Sequence, residues 1–193
     1  IRDTQDMVEL LTARIAQIRH LCDDTSKCVA FALGLDATVV VQGFHLLLSE
    51  GVVAGGAYPK HKLDVSNLDS DHMKKFLKEC IKGKKGEKAA ECKVAVVSFQ
   101  NTPIGMCPYM ILAGCPQTIN HSNYWGGEVL KACVAAADMA QNCVLLNQST
   151  DGVSVEVKWN YELTVDYLSG KSSQISLPCP QHNAKNHRYQ NIG

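Results

Sequence analysis

The chain has 193 residues, with 19 Lys and Arg against 19 Asp and Glu, and 46% of its residues are hydrophobic. That length suits one domain of ordinary size with a substantial core. The balanced charge excludes a uniformly basic coat for nucleic acid and leaves room only for a local basic patch.

No apolar run is long enough to cross a bilayer, so no membrane partner is expected. The first residues, Ile1 to Asp6, are polar and helical in character, unlike a secretory signal. The nine cysteines (22, 28, 80, 92, 107, 115, 133, 143 and 179) are odd in number, and several lie inside apolar segments. They read as buried, reduced thiols of an intracellular protein rather than a disulfide framework.

Residues 4 to 22 predict an amphipathic helix. Met7, Leu10, Leu11, Ile15, Ile18 and Leu21 recur mostly at three- and four-residue steps, with Thr4 as the expected N-cap and Asp3 and Asp6 near the positive end. Residues 1–27 are therefore set apart as an N-terminal helix, with 28–193 as one core. The run Phe31-Ala-Leu-Gly-Leu-Asp36-Ala-Thr-Val-Val-Val41 has the composition of a strand buried on both faces. An unpaired carboxylate there would cost several kcal/mol. Asp36 is thus expected to meet a cation, a set of backbone N–H donors or a metal ion, or to be satisfied by a turn at the strand end.

Residues 44–48 and 52–58 read as two further strands, antiparallel to each other, completing a three-strand meander with Asp36 on its first member. The Gly55-Gly56 pair suggests a bulge or a close backbone approach. A polar loop leads to a helix over 70–81 with Ser70 as cap. The run Lys82-Gly-Lys-Lys-Gly-Glu-Lys88 is basic, either a solvated loop or a phosphate contact through Lys84 and Lys85.

Strands follow at 93–99 and 107–113. A long helix is expected from 123 to 141, with Val129, Leu130, Cys133, Val134 and Ala137 facing the core. Cys143 to Leu146 is a short buried strand, and Asn147-Gln-Ser-Thr-Asp151-Gly152 comes next. Here a second carboxylate sits just past an apolar strand, with a glycine to let the backbone turn. A helix over 153–168 and a strand over 174–177 complete the order, ahead of a basic tail containing His182, Lys185 and Arg188.

An acid on the first strand and another after a later parallel strand can meet at one edge of a sheet. Two carboxylates that close repel each other unless a divalent cation lies between them. Paired Mg²⁺ or Mn²⁺ ions held by Asp oxygens suit phosphodiester chemistry, one activating a water or 3′-hydroxyl and the other stabilising the leaving oxygen.

Leu35-Asp36-Ala-Thr, the approach to Ser149-Thr-Asp151-Gly152, and His182-x-x-Lys185-Asn-x-Arg188 together resemble the catalytic core of DDE transposases, closest to the P-element and THAP-type branch. The resemblance covers about residues 30 to 190. It implies an α/β, ribonuclease-H-like mixed sheet, an antiparallel meander followed by parallel strands and flanked by helices. It also implies metal-dependent cleavage and transfer of DNA strands in the nucleus. Asp36 and Asp151 would be catalytic metal ligands for Mg²⁺ or Mn²⁺, His182 a supporting residue near the acids, and Lys185 and Arg188 contacts to DNA phosphates. A homo-oligomer is compatible with it.

Two features depart from the family pattern. Cys179 stands where an Asp is usual. The third acid of such cores lies on a helix beyond this segment, so the core is expected to be truncated at its C-terminus; Glu156, Glu162 and Asp166 follow Asp151 too closely to replace it. The alternative is a non-catalytic DNA- or protein-binding module derived from such a core. Cys179, His182 and His187 could supply three zinc ligands but have no Cys-x-x-Cys pair to complete them. A thiol hydrolase built on Cys179 and His182 has no orienting acid.

Overall fold

The computed structural model describes residues 3–47, 49, 51–57, 62–64, 69, 71–72, 74–75, 78, 88–117, 125–150, 161–166, 168–171 and 175–178. Its elements are α1 (Thr4–Leu21), β1 (Val29–Val39), β2 (His45–Leu47), β3 (Val52–Ala54), β4 (Lys62–Asp64), β5 (Glu91–Phe99), β6 (Tyr109–Gln117), α2 (Trp125–Ala140), β7 (Cys143–Thr150) and β8 (Ile175–Pro178). Residues 161–166 are also helical. The fold is α/β, with a mixed sheet and helices. The chain divides into two compact units, Ile1–Asp36 with Val94–Ala113 and Asn123–Gly193, and Ala37–Lys93 with Gly114–Ser122.

Five strands form one sheet in the order β6-β5-β1-β7-β8. Gln100 N–H donates to Ala30 O and Val40 N–H to Ala90 O, so β5 runs antiparallel to β1; Phe99 N–H to Pro108 O and Ala90 N–H to Gln117 O make β6 antiparallel to β5. β7 then runs parallel to β1, and β8 parallel to β7. The meander around β1 is therefore built from residues 91–99 and 109–117. Residues 45–47 and 52–54 do pair antiparallel, as the sequence predicts, but with β4 they make a separate three-stranded sheet. Nine-residue β5 offers β1 a far longer ladder than three-residue β2 or β3 can, and nine-residue β6 extends the sheet beyond it.

In the first unit α1 packs on α2, and α2 on β7. α1 buries Met7, Val8, Leu11, Ile15 and Ile18, while Leu21 is 53% exposed. Each fully buried aliphatic side chain of this kind contributes about 1.5–3 kcal/mol. α1 is capped by Asp3, one residue earlier than expected, whose carboxylate accepts from Asp6 N–H at 2.8 Å. α2 buries Trp125, Val129, Leu130, Ala132, Cys133 and Ala136, a stripe turned slightly from the predicted one. In the core, Phe31 of β1 and Phe99 of β5 pack tilted, with ring centroids 5.8 Å apart.

One side chain ties the two helix ends together. Arg19 donates through Nε to Lys27 O at 3.0 Å, through Nη1 to Ala140 O at 2.7 Å, and through Nη2 to Gln141 O at 2.5 Å and Asn142 O at 3.1 Å. α2 ends in two consecutive left-handed residues, Gln141 (φ 47°) and Asn142 (φ 42°), neither of them glycine. The guanidinium satisfies carbonyls that the end of α2 leaves open and places positive charge at its negative pole.

In the second unit, Gly55 has φ +109°, and a Cβ there would overlap the Gly43 carbonyl oxygen. This is the close backbone approach suggested by the glycine pair. Ala89 N–H donates to Gly55 O at 3.0 Å. The helix expected over 70–81 is described at residues 71–72, 74–75 and 78. Asp69 stands at its N-terminal end, accepting from Asp71 N–H at 3.0 Å and His72 N–H at 2.9 Å, while Ser70, the expected cap, lies outside the described residues. Those bonds, with His72 foremost, hold the Asp69 carboxyl below its ordinary pKa.

Replacing Arg19 with Met keeps the aliphatic stem and removes the donors. Urea unfolding of Arg19→Met is expected to show a loss of about 1–3 kcal/mol, the cost of stranding the part-buried carbonyls of Lys27 and Ala140. A loss within a few tenths of a kcal/mol would mean that water replaces the guanidinium freely.

Candidate functional site

The site is built where β1 and β7 run side by side. On β1 the side chains of Val29, Phe31, Leu33 and Leu35 are buried and those between them half-buried; Asp36, next in the alternation, is exposed. The expectation of a carboxylate buried in mid-strand is thereby corrected. The apolar face of β1 stops at Leu35, and the β-branched residues beyond it are mostly in contact with solvent, Val39 at 83% exposure and Val41 at 93%. An exposed carboxylate carries no large desolvation cost, so it needs no compensating cation in order to exist.

The β7 register has one irregularity. Val29 pairs with Cys143, Ala30 with Val144 and Phe31 with Leu145; after a shift, Leu33 pairs with Gln148, Gly34 with Ser149 and Leu35 with Thr150. Within the shift, Leu146 and Asn147 of β7 stand against Ala32 alone on β1, which is the two-to-one count of a β-bulge. The bulge turns Gln148 and Thr150 into the core, at 1% and 0% exposure. It also sets Thr150, in place of Ser149, opposite Leu35. The residues that immediately precede the two predicted acids, Leu35 and Thr150, are thus partners on neighbouring parallel strands.

Of the predicted site residues, Asp36 is described. Asp151, Lys84, Lys85, His182, Lys185 and Arg188 lie outside the described residues, as do Cys179, His187 and Glu156. Glu162 is exposed and Asp166 half-buried in the 161–166 helix. Lys88, the last residue of the basic run, holds its Nζ 5.8 Å from the centre of the Phe44 ring, a cation–π contact.

Among the described residues no group of three or more His, Cys, Asp or Glu is placed to hold a metal ion. As a single donor, the exposed Asp36 has the oxygen chemistry that Mg²⁺ or Mn²⁺ prefers. The β7 bulge and half-buried Ser149 beside Gly34 are features of this corner that the sequence reading missed. A bulge of this kind has no glycine or other local signal in Leu145-Leu146-Asn147-Gln148 to announce it.

None of the seven described cysteines is in a disulfide: Cys115 and Cys133 are buried, Cys22, Cys92 and Cys143 half-buried, and Cys28 and Cys107 exposed. Burial pushes the Cys133 thiol from its ordinary 9.0 up to about 12. Burial also raises Cys92 and Cys143, with nearby Arg19 pulling Cys143 partly back. Comparison of this chain with known protein families, curated proteins and solved structures finds no match.

For Cys133 the folded value lies above the unfolded one. Its neutral thiol therefore contributes stability that is fully present below about pH 9 and is lost as pH rises toward 12. Native protein treated with iodoacetamide at mildly alkaline pH is expected to be alkylated at Cys28 and Cys107 and spared at Cys133, as read by peptide mass. In Cys133→Ala the alkaline fall in stability should be shallower. Rapid alkylation of native Cys133 would contradict its burial.

Proposed function

We propose that this chain is the ribonuclease-H-like core of a transposase, or of a protein derived from one, and that it acts on DNA in the nucleus through a divalent ion held by Asp36 and Asp151. The observation that supports this most is the β1–β7 register. Two acids far apart in sequence each directly follow one member of a matched Cα pair, Leu35 and Thr150, on adjacent parallel strands. The strand order gives further support: an antiparallel meander through β6, β5 and β1, then parallel β7 and β8, is what the family resemblance implies.

Asp36 and Asp151 would hold Mg²⁺ or Mn²⁺, and the ion would supply an activated water or hydroxyl and charge stabilisation at a scissile phosphodiester. Asp36 itself contributes an oxygen donor fixed at the end of a packed strand and open to solvent, so that a DNA phosphate can approach it. His182 would orient groups beside the acids. Lys185, Arg188, Lys84 and Lys85 would neutralise phosphates and set the position of the strand, without reading its sequence. The family's third acid has no counterpart in Glu162 or Asp166, which follow Asp151 closely in sequence.

Two measurements test this reading. Supercoiled plasmid incubated with Mn²⁺ and a form of the protein extended at its C-terminus to supply the third acid should be nicked, and Asp36→Asn in that form should lower the rate by roughly a hundredfold or more, about 2.7 kcal/mol of transition-state stabilisation. Equal nicking by both proteins would remove Asp36 from the chemistry, and DNA binding with no metal-dependent nicking by the wild type would favour the non-catalytic module.

Changing Lys84 and Lys85 together to Ala should weaken DNA binding for all sequences alike. It should also make the slope of log affinity against log salt shallower, by roughly one for each phosphate left without its lysine. An unchanged slope would return the basic run to a solvated loop.

A further inference from the structure

We propose that Cys22 and Lys27 are an oxidisable pair that closes a covalent N–O–S bridge, making the turn between α1 and β1 a modification site. Lys27 Nζ donates to Cys22 Sγ at 3.0 Å, and both residues are half-buried. One inserted oxygen atom spans that gap with a small inward movement of the lysine side chain.

The backbone on both sides of the pair is held. Cys22 caps α1, its N–H donating to Ile18 O at 3.1 Å and to Arg19 O at 3.2 Å. Asp23 turns the chain with φ 52°. Asp24 Oδ1 then accepts from Ser26 N–H at 2.9 Å and Ser26 Oγ at 2.7 Å, and Lys27 N–H donates to Asp24 O at 3.3 Å. Lys27 O in turn accepts from Arg19 Nε at 3.0 Å. With the turn fixed at Cys22, Asp24 and Lys27, the amine and the thiol meet with little further loss of freedom, as in other well-oriented intramolecular reactions.

The oxidant is dioxygen. Lys27 reacts as the free amine after giving its extra proton to solvent. One N–H and one S–H bond break, and one oxygen atom forms new bonds to Nζ and Sγ. The other oxygen atom leaves as water with the two displaced hydrogens. Nitrogen and sulfur each lose two electrons, and dioxygen gains four. The bridge stands apart from the thiol's usual products: a sulfenic acid adds oxygen to sulfur alone, and a disulfide with the exposed neighbour Cys28 adds none.

The test uses the full chain in air-saturated buffer, followed by intact mass and tryptic peptide mass. The bridged protein gains one oxygen and loses two hydrogens, is no longer cleaved by trypsin after Lys27, and returns to its starting mass with a thiol reductant. Lys27→Arg keeps a positive side chain of similar reach, and Cys22→Ser keeps a small polar one; each should abolish the mass change, while Cys28→Ser leaves it intact. Three results would overturn the proposal: no change in mass, loss of two hydrogens without oxygen, or gain of oxygen that persists in Lys27→Arg.

Discussion

The parallel pairing of β1 with β7 is the constraint on which the first unit depends. Parallel neighbours cannot be joined by a tight turn, so the chain between them must travel out and return. It does so through β5 and β6 and then back across the sheet in α2. α2 must stop in time for Val29 N–H to reach Asn142 O. It stops in two left-handed residues whose carbonyls are collected by Arg19 of α1. A helix end, a strand start and a second helix are thus joined through one guanidinium. The bulge in β7 then decides which residue arrives opposite Leu35.

Position, rather than burial, is what recommends Asp36. A carboxylate in the middle of a buried strand would have demanded a partner on energetic grounds. The exposed carboxylate found here demands none. Its interest lies in the ladder: the strand that carries it is fixed by Phe31 and Leu33 in the core, and its nearest parallel neighbour delivers Thr150, the residue before the second acid, in register. The proposed metal centre is a consequence of that register joined to the family resemblance.

What could be read from the sequence follows from how local each signal is. α1, α2 and the β1 and β5 runs carry their own periodicity or β-branched composition, and their sequence-predicted bounds lie within a few residues of the observed ones. The hairpin of β2 and β3 is also legible, because its turn at Gly51 is local. Its sheet is not: whether β1 pairs with residue 45 or residue 95 is settled by ladder length and by burial across the whole chain. The cap of α1 shifts by one residue, from Thr4 to Asp3, because neighbouring polar residues compete for the same orphan N–H groups. The solvent contact of Asp36 escapes a sequence reading because composition shows what a strand contains and not where its covered part ends.

The central claim, that Asp36 and Asp151 share one divalent ion, is tested most directly by a double-mutant cycle in Mn²⁺ affinity, read by electron paramagnetic resonance. If the acids share the ion, Asp36→Asn and Asp151→Asn should each weaken binding by about tenfold or more, about 1.4 kcal/mol. The double variant should then lose much less than the sum of the two. Strictly additive losses, or Mn²⁺ binding indifferent to Asp36→Asn, would show that the two carboxylates do not form one centre.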